Sequence, residues 1–313
     1  MTASASAAPP PRALLVAAFA TIYVVWGSTY LAIRWLVEGA PPFLMASIRF
    51  AIAGGLLFAW SRWRSGERPT GAHWRNAAVV GALLLFVGNG AVSWASQRVP
   101  SSLASLVISA TPLWLVILQR VGPLQRQPTV AELGGVVIGL AGVALLVWPT
   151  GHQTGVPLVD PVGAIVLLIG CLSWAAGSLY ARSAALPRTA TMGPAMQMLC
   201  ASVLLFGLAA VHGDLQRFDV RATPASAWWS LLYLIVAGSL LGFTAFSWLM
   251  RVASPTLVGT YAYVNPVVAV LLGVLLGGEA LPPRAVLATV VIVSGVALVS
   301  MAPWLAARRR VAV

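Results

Sequence analysis

Apolar residues run through this chain in long, nearly unbroken stretches, and polar residues gather between them. Ten stretches approach or exceed the roughly 20 residues a helix needs to cross a bilayer. They lie at about 14–36, 42–60, 74–96, 101–120, 130–149, 161–183, 190–210, 227–249, 255–276 and 283–303. Each ends at proline, glycine or charge, and the short connections leave no space for a soluble domain. The pattern predicts an all-α integral membrane protein with ten transmembrane helices. Residues 1–13 read as an N-terminal tail rich in Ala and Pro. The apolar run behind it is too long for a signal-peptide core and is followed by many more, so it reads as a true span.

One stretch breaks the pattern. Tyr261–Glu279 is apolar enough to cross a membrane, yet it carries Asn265-Pro266 inside it, with Tyr261 and Tyr263 just ahead. Proline has no backbone N–H, and the ring of Pro266 crowds the carbonyl of Ala262, so a kink or opening is expected there. In lipid such a break is tolerated only where the freed groups find partners or line a cavity. Asn265 brings two donors and an acceptor to the same depth. Thr111-Pro112 is a fainter twin, its proline 154 residues earlier in another apolar segment. Proline-interrupted segments at matched positions in two halves point to a transporter binding site.

Composition agrees with the pattern. Of 313 residues, 59% are hydrophobic and 8% charged, against about a quarter charged in soluble domains. The net charge of +12 would suggest a nucleic-acid partner in a soluble protein. Here it reads as loop arginine that sets orientation. All nineteen basic residues are Arg. With the N-terminus inside, thirteen fall on the cytoplasmic side and five (Arg34, Arg98, Arg217, Arg221, Arg284) on the outer side. Both termini are therefore expected in the cytoplasm, in the inner (plasma) membrane. Cys171 and Cys200 lie in apolar segments and form no disulfide framework.

The chain repeats itself at an offset of 150–154 residues. Gly27-Ser28-Thr29-Tyr30 answers to Gly177-Ser178-Leu179-Tyr180, Ser93-Trp94 to Ser247-Trp248, and Pro112 to Pro266. Gln125 answers to Glu279, Pro128 to Pro282, and Gly142-Val143-Ala144-Leu145 to Gly295-Val296-Ala297-Leu298. Each half then has five spans. An odd number turns the second half upside down, which places a substrate site at mid-membrane between the halves. The predicted units are 14–149 and 161–303, joined by a periplasmic linker at 150–160, with a basic cytoplasmic tail at 304–313.

Several motifs resemble one family. Trp26-Gly27-Ser28-Thr29-Tyr30, Pro41-Pro42, Ile48-Arg49-Phe50, Val87-Gly88-Asn89-Gly90, Ser254-Pro255, Tyr261–Leu272 and Gly278-Glu279 are similar to the EamA type of the drug/metabolite transporter superfamily, and within it to the YedA-type inner-membrane exporters. The resemblance covers about residues 14–303. It implies two inverted five-helix EamA repeats around a cavity lined by helices 1, 3, 4, 6, 8 and 9, with helices 5 and 10 peripheral. It also implies export. One departure is Gln125, where members often keep a glutamate after the fourth helix.

Helical spacing gathers the candidate site residues. Helix 1 gives Trp26, Thr29 and Tyr30, and helix 3 gives Phe86, Asn89 and Ser93. Helix 6 gives Trp174 and Ser178; helix 8 gives Thr244, Ser247 and Trp248. With Thr111, Tyr261 and Asn265 these would form an aromatic box with amide and hydroxyl handles, suited to small organic molecules or organic cations. Each residue has a plainer reading as interfacial belt or interhelical glue. Arg49, about 10 Å from the outer end of helix 2, is the ionisable residue well inside a span. It either meets substrate or snorkels outward. Gly134, Gly135, Gly139 and Gly142 on helix 5, and Gly238 and Gly242 on helix 8, allow close packing within the protein or between two copies.

Absences narrow the reading. There is no P-loop, no mid-membrane carboxylate, no filter-like run, and no metal spacing among His73, His152 and His212. No cofactor is implied. A secondary transporter of small molecules working by alternating access is expected. An importer or exchanger of the same fold, and a non-transporting receptor or partner subunit, stay open. A membrane-embedded enzyme would need a catalytic cluster that the sequence lacks.

Overall fold

Inside hydrocarbon each backbone amide must find its partner within the protein, and the chain answers with helices. A computed structural model describes residues 11–121, 127, 129–148, 159–253 and 255–311, and among them there is no strand. The principal helices are α1 (Arg12–Gly39), α2 (Pro42–Ser65), α3 (Gly71–Ala95) and α4 (Ser101–Arg120). They continue as α5 (Val130–Val147), α6 (Pro161–Ser183), α7 (Met192–His212), α8 (Ala225–Val252), α9 (Tyr261–Leu275) and α10 (Pro283–Val311). Seven of them, α1–α4 and α6–α8, are long and apolar enough to cross a membrane. The apolar helical stretches Val130–Leu146, Val264–Leu275 and Pro283–Val299 are shorter. Gln125, Pro128, His152 and most of the 150–160 linker lie outside the described residues.

Local chemistry sets the helix ends. Pro42 and Pro161 occupy first-turn positions, where a missing N–H costs nothing. Asp160 caps α6 by accepting from Gly163 N at 2.8 Å. Thr129 and Glu132 form a reciprocal capping box at α5. Gly66 and Gly213 close α2 and α7 in the left-handed conformation, with φ of 64° and 81°.

The halves meet through antiparallel helix pairs. On α2 and α7, Ser47 donates to Ser202 O at 2.9 Å, Gly54 lies against Ala195 and Met198, and Ser61 meets Thr191 at 2.6 Å. Numbers rise along one helix as they fall along the other. The ends then cap each other. Glu67, just past α2, accepts from the amides of Arg188 and Thr189 ahead of α7, at 2.8 and 2.9 Å. Asp214, just past α7, accepts from Phe43 and Leu44 N at the start of α2, at 2.9 and 3.1 Å. α5 and α10 pair in the same antiparallel sense. A Cβ on Gly295 would sit 2.5 Å from Gly139 N and 2.7 Å from Gly135 O, so only glycine lets these backbones touch. Such reciprocal pairing fits two inverted repeats.

Three π-helical turns interrupt α1 (Thr21–Val25), α3 (Ala82–Asn89) and α8 (Leu234–Phe243). α4 breaks at the turn Ser109–Ala110, next to Pro112. The interruption expected at Pro266 falls six residues earlier, at the turn Gly259–Thr260. α9 itself runs continuously through Pro266. That helix begins at Tyr261, so only one turn precedes the proline and few hydrogen bonds are at stake.

Candidate functional site

The breaks converge on one cavity between the halves. Its wall takes Trp26, Thr29, Tyr30 and Ile33 from α1, Arg49 and Phe50 from α2, and Leu85, Gly88, Asn89 and Val92 from α3. Ile108 and Thr111 come from α4, Gly170, Cys171 and Trp174 from α6, Gly238 and Phe243 from α8, and Tyr261 and Asn265 from α9. The space open to the centres of water-sized molecules is about 80 Å³, enough for a handful of waters. Nine of the candidate site residues read from the sequence thus meet on one wall: Trp26, Thr29, Tyr30, Arg49, Asn89, Thr111, Trp174, Tyr261 and Asn265.

Aromatic rings close one end. Trp26 meets Trp174 edge-on at 5.6 Å and Tyr261 edge-on at 5.5 Å, and lies 5.0 Å from Phe246. Phe246 completes the cluster against Trp174 at 5.6 Å and Tyr261 at 6.1 Å. Beyond it a second, smaller space is lined by Pro112, Ser178, Arg182, Met250 and Gly259, and it shares Thr111, Trp174 and Tyr261 with the first. It lies toward the end of α8, where the first turns of α1 also pack. The ring cluster therefore separates the two spaces.

Polar groups at the site are largely held by backbone. The proline at 112 leaves the carbonyl of Ile108 without its helical donor, and Thr111 Oγ1 donates to it at 2.7 Å. Cys171 Sγ reaches the same carbonyl and that of Val107 at 3.7 Å. Asn265 does the matching work on α1. With its amide nitrogen turned toward the carbonyls around it, it donates to Ile22 O and Tyr23 O at 3.1 Å and to Tyr261 O at 3.2 Å. Ile22 and Tyr23 lie in the π turn. The amide thus stitches α9 to that irregular turn.

Arg49 is 5% exposed. Its Nε donates to Ser239 Oγ at 2.8 Å, its Nη1 reaches Asn89 Oδ1 at 3.5 Å, and its guanidinium sits 4.9 Å from the Phe50 ring centre. A Cβ on Gly238 would stand 2.9 Å from its Nη2. All seven carboxylates of the chain are engaged elsewhere. Glu38 pairs with Arg34, Glu132 and Asp160 cap their own helices, and Asp219 accepts from Arg221 N. Glu67 and Asp214 cap across the halves, and Glu279 accepts from Ser101 and Ser102 N. Among the described residues, no three His, Cys, Asp or Glu side chains gather where they could hold a metal ion.

Five candidates stand off both spaces. Phe86 and Trp248 are half-buried packing residues, Ser93 is buried and donates to Asn89 O at 3.0 Å, and Thr244 and Ser247 are half-buried on α8. On α3 the wall residues Leu85, Gly88, Asn89 and Val92 keep ordinary helical spacing, and Phe86 and Ser93 each fall one position past that stripe. On α8 the wall residues Gly238 and Phe243 are five apart, the spacing of a π turn rather than an α turn. Phe246, Cys171, Phe50 and Ser239 were not singled out from the sequence. Only Phe50 and Cys171 had a visible hint, beside Arg49 and inside an apolar segment.

Known proteins share this sequence pattern over most of its length. The model of the EamA-like transporter family matches residues 13–148 and 161–301. The chain is 41% identical over 293 residues to the "uncharacterized inner membrane transporter YedA" of Escherichia coli K12, covering 93% of this chain and 92% of that protein. It is 27% identical to the protein PecM of Dickeya dadantii, over 92% of each. It is also 27% identical to a probable terminal-alkyne amino-acid exporter of Streptantibioticus cattleyicolor, over 88% of this chain and 90% of that one. A solved crystal structure, 22% identical, superposes with a TM-score of 0.64 over 93% of this chain and 98% of its own, a likeness of fold.

Proposed function

Because the chain belongs to the EamA-like transporter family, we propose that it is a secondary transporter of small organic molecules that works by alternating access. The observation that carries this is the cavity between the antiparallel-paired halves, walled by helices from both and closed at one end by aromatic rings. In this reading the two repeats rock about the cavity, and the ring cluster of Trp26, Trp174, Phe246 and Tyr261 is the closed gate of the present conformation. The turns at Ser109–Ala110 and Gly259–Thr260 are its flexible points. α5, α9 and α10 complete a ten-span, multi-pass arrangement in the inner membrane, the compartment given in the name of the Escherichia coli relative. Thirteen inner against five outer arginines support cytoplasmic termini. Export is supported by the relative named as an exporter.

The test is reconstitution of the purified protein in liposomes loaded with a pooled metabolite extract, with mass spectrometry of what leaves. One chemical class is expected to leave faster than from protein-free liposomes, and Trp26→Ala is expected to lose that difference. No class leaving under imposed pH or sodium gradients of either sign would count against transport.

A further inference from the structure

The cavity holds a buried cation, and among the described residues no protein anion answers it. Arg49 is the charged residue on the wall. Its neighbours are neutral: a serine hydroxyl at 2.8 Å, an amide oxygen at the long distance of 3.5 Å, and a phenylalanine ring. A guanidinium carries five N–H donors in a flat fork, and these contacts engage two of its nitrogens. All seven carboxylates of the chain are bound to other groups. A charge taken out of water without a counter-charge is costly. Yet the fold makes room for this one: Gly238 stands where any side chain would collide with Nη2. Snorkelling to the membrane surface does not relieve it, because Arg49 lies against the cavity and is 5% exposed.

Resting on the transport reading, we propose that the cavity takes small organic monocarboxylates with an apolar or aromatic body. The carboxylate supplies the missing counter-charge and docks on the Arg49 fork, the geometry that pairs best with a planar guanidinium. Asn89 and Ser239 hold that fork in place. As the ring cluster moves apart to widen the small space, the body of the molecule lies against Trp26, Trp174 and Tyr261, which supply area without charge. A single cation favours a single anion: a second carboxylate would be left buried and unpaired. A compound whose only charge is positive would meet Arg49 with nothing to offset it.

The experiment uses the full-length protein in lipid nanodiscs and measures binding of 3-phenylpropanoate, 3-(indol-3-yl)propanoate and butanoate. Each is set beside its own amide, with 2-phenylethylammonium as the cationic control. At least one acid is expected to bind about ten-fold or more tightly than its amide, the size of a charge-assisted hydrogen-bond pair, and than the cation. Arg49→Lys keeps the charge without the fork and is expected to lose part of that preference. Arg49→Gln is expected to lose all of it. If Arg49→Gln does not fold, the acid-against-amide comparison on the unaltered protein decides alone. Binding of amides or of the cation as tight as that of the acids, or no acid binding, overturns the proposal. Efflux of the same compounds from liposomes separates the two claims. Acid binding at Arg49 without efflux keeps the carboxylate site and removes transport; efflux of amines or neutral compounds without acid binding keeps transport and removes the carboxylate site.

Discussion

At 3.1 Å from both Ile22 O and Tyr23 O, the Asn265 amide spans the gap between α9 and the π turn of α1. A π turn disturbs the regular hydrogen-bond ladder, and in a dry interior each carbonyl left unpaired costs about 1–3 kcal/mol. Asn265→Leu keeps the size of the side chain and removes its donors. It is expected to lower the thermal midpoint of the purified protein and to weaken ligand binding together, since α1 also carries Trp26, Thr29 and Tyr30 into the cavity. An unchanged midpoint would show that the amide does not clamp α1. The sequence marks Asn265 as special, a polar residue beside a proline in an apolar run. It does not show what the amide holds, because the π turn it grips reads Thr-Ile-Tyr-Val-Val, which no pattern separates from ordinary helix. Arg49 was legible as a buried charge for the same reason Asn265 was. Its solitude was not, because that depends on where seven distant carboxylates go.

Among elements, carboxylates that cross between helices do what loops alone would not. Glu279 lies beyond the end of α9 and accepts from Ser101 N at 2.7 Å and Ser102 N at 2.9 Å, the exposed donors at the start of α4. Burial would raise its pKa, but the hydrogen bonds from Ser102 and Ser101 outweigh that and hold it below the usual 4.5. The cap therefore contributes its full stability above about pH 4.5 and loses it as pH falls through the lowered value. Glu279→Gln is expected to cost about 0.5–2 kcal/mol at neutral pH, the range for a lost helix N-cap. Thermal melts of the two proteins across pH should differ at neutrality and converge in acid. A difference that persists unchanged in acid would mean the carboxylate charge is not the source. The seven long spans were legible because apolar length is all a membrane asks of them. The cross-caps of Glu67, Asp214 and Glu279 were not, since each joins groups more than 100 residues apart. The exact faces of α3 and α8 were hidden too, because a helix apolar on every side keeps no stripe to betray a shifted register.

For the whole molecule, the surface and the cavity make opposite demands. Val16, Val203 and Val211 on the outside are 68%, 71% and 88% exposed, apolar area that a soluble protein would hide. Trp60 and Trp63 flank it at the end of α2 as aromatic anchors. The interior instead keeps a small, mainly apolar space that rings close at one end, and in the transport reading that end must open for a substrate to pass. Cys171 reports that opening, since it lies on the cavity wall and is not in a disulfide. In a Cys200→Ala background it is the remaining thiol. A water-soluble thiol reagent applied from the Arg182 side must then pass the Trp26–Trp174–Phe246–Tyr261 cluster to reach it. Trp174→Ala removes one of the two rings that touch both spaces, and it is expected to raise the labelling rate of Cys171 about ten-fold or more, since losing one aromatic contact of about 1.5 kcal/mol shifts a two-state closure by that factor. Equal rates in the two proteins would mean that the rings do not bar the path, and that the access route to the cavity runs from the other end.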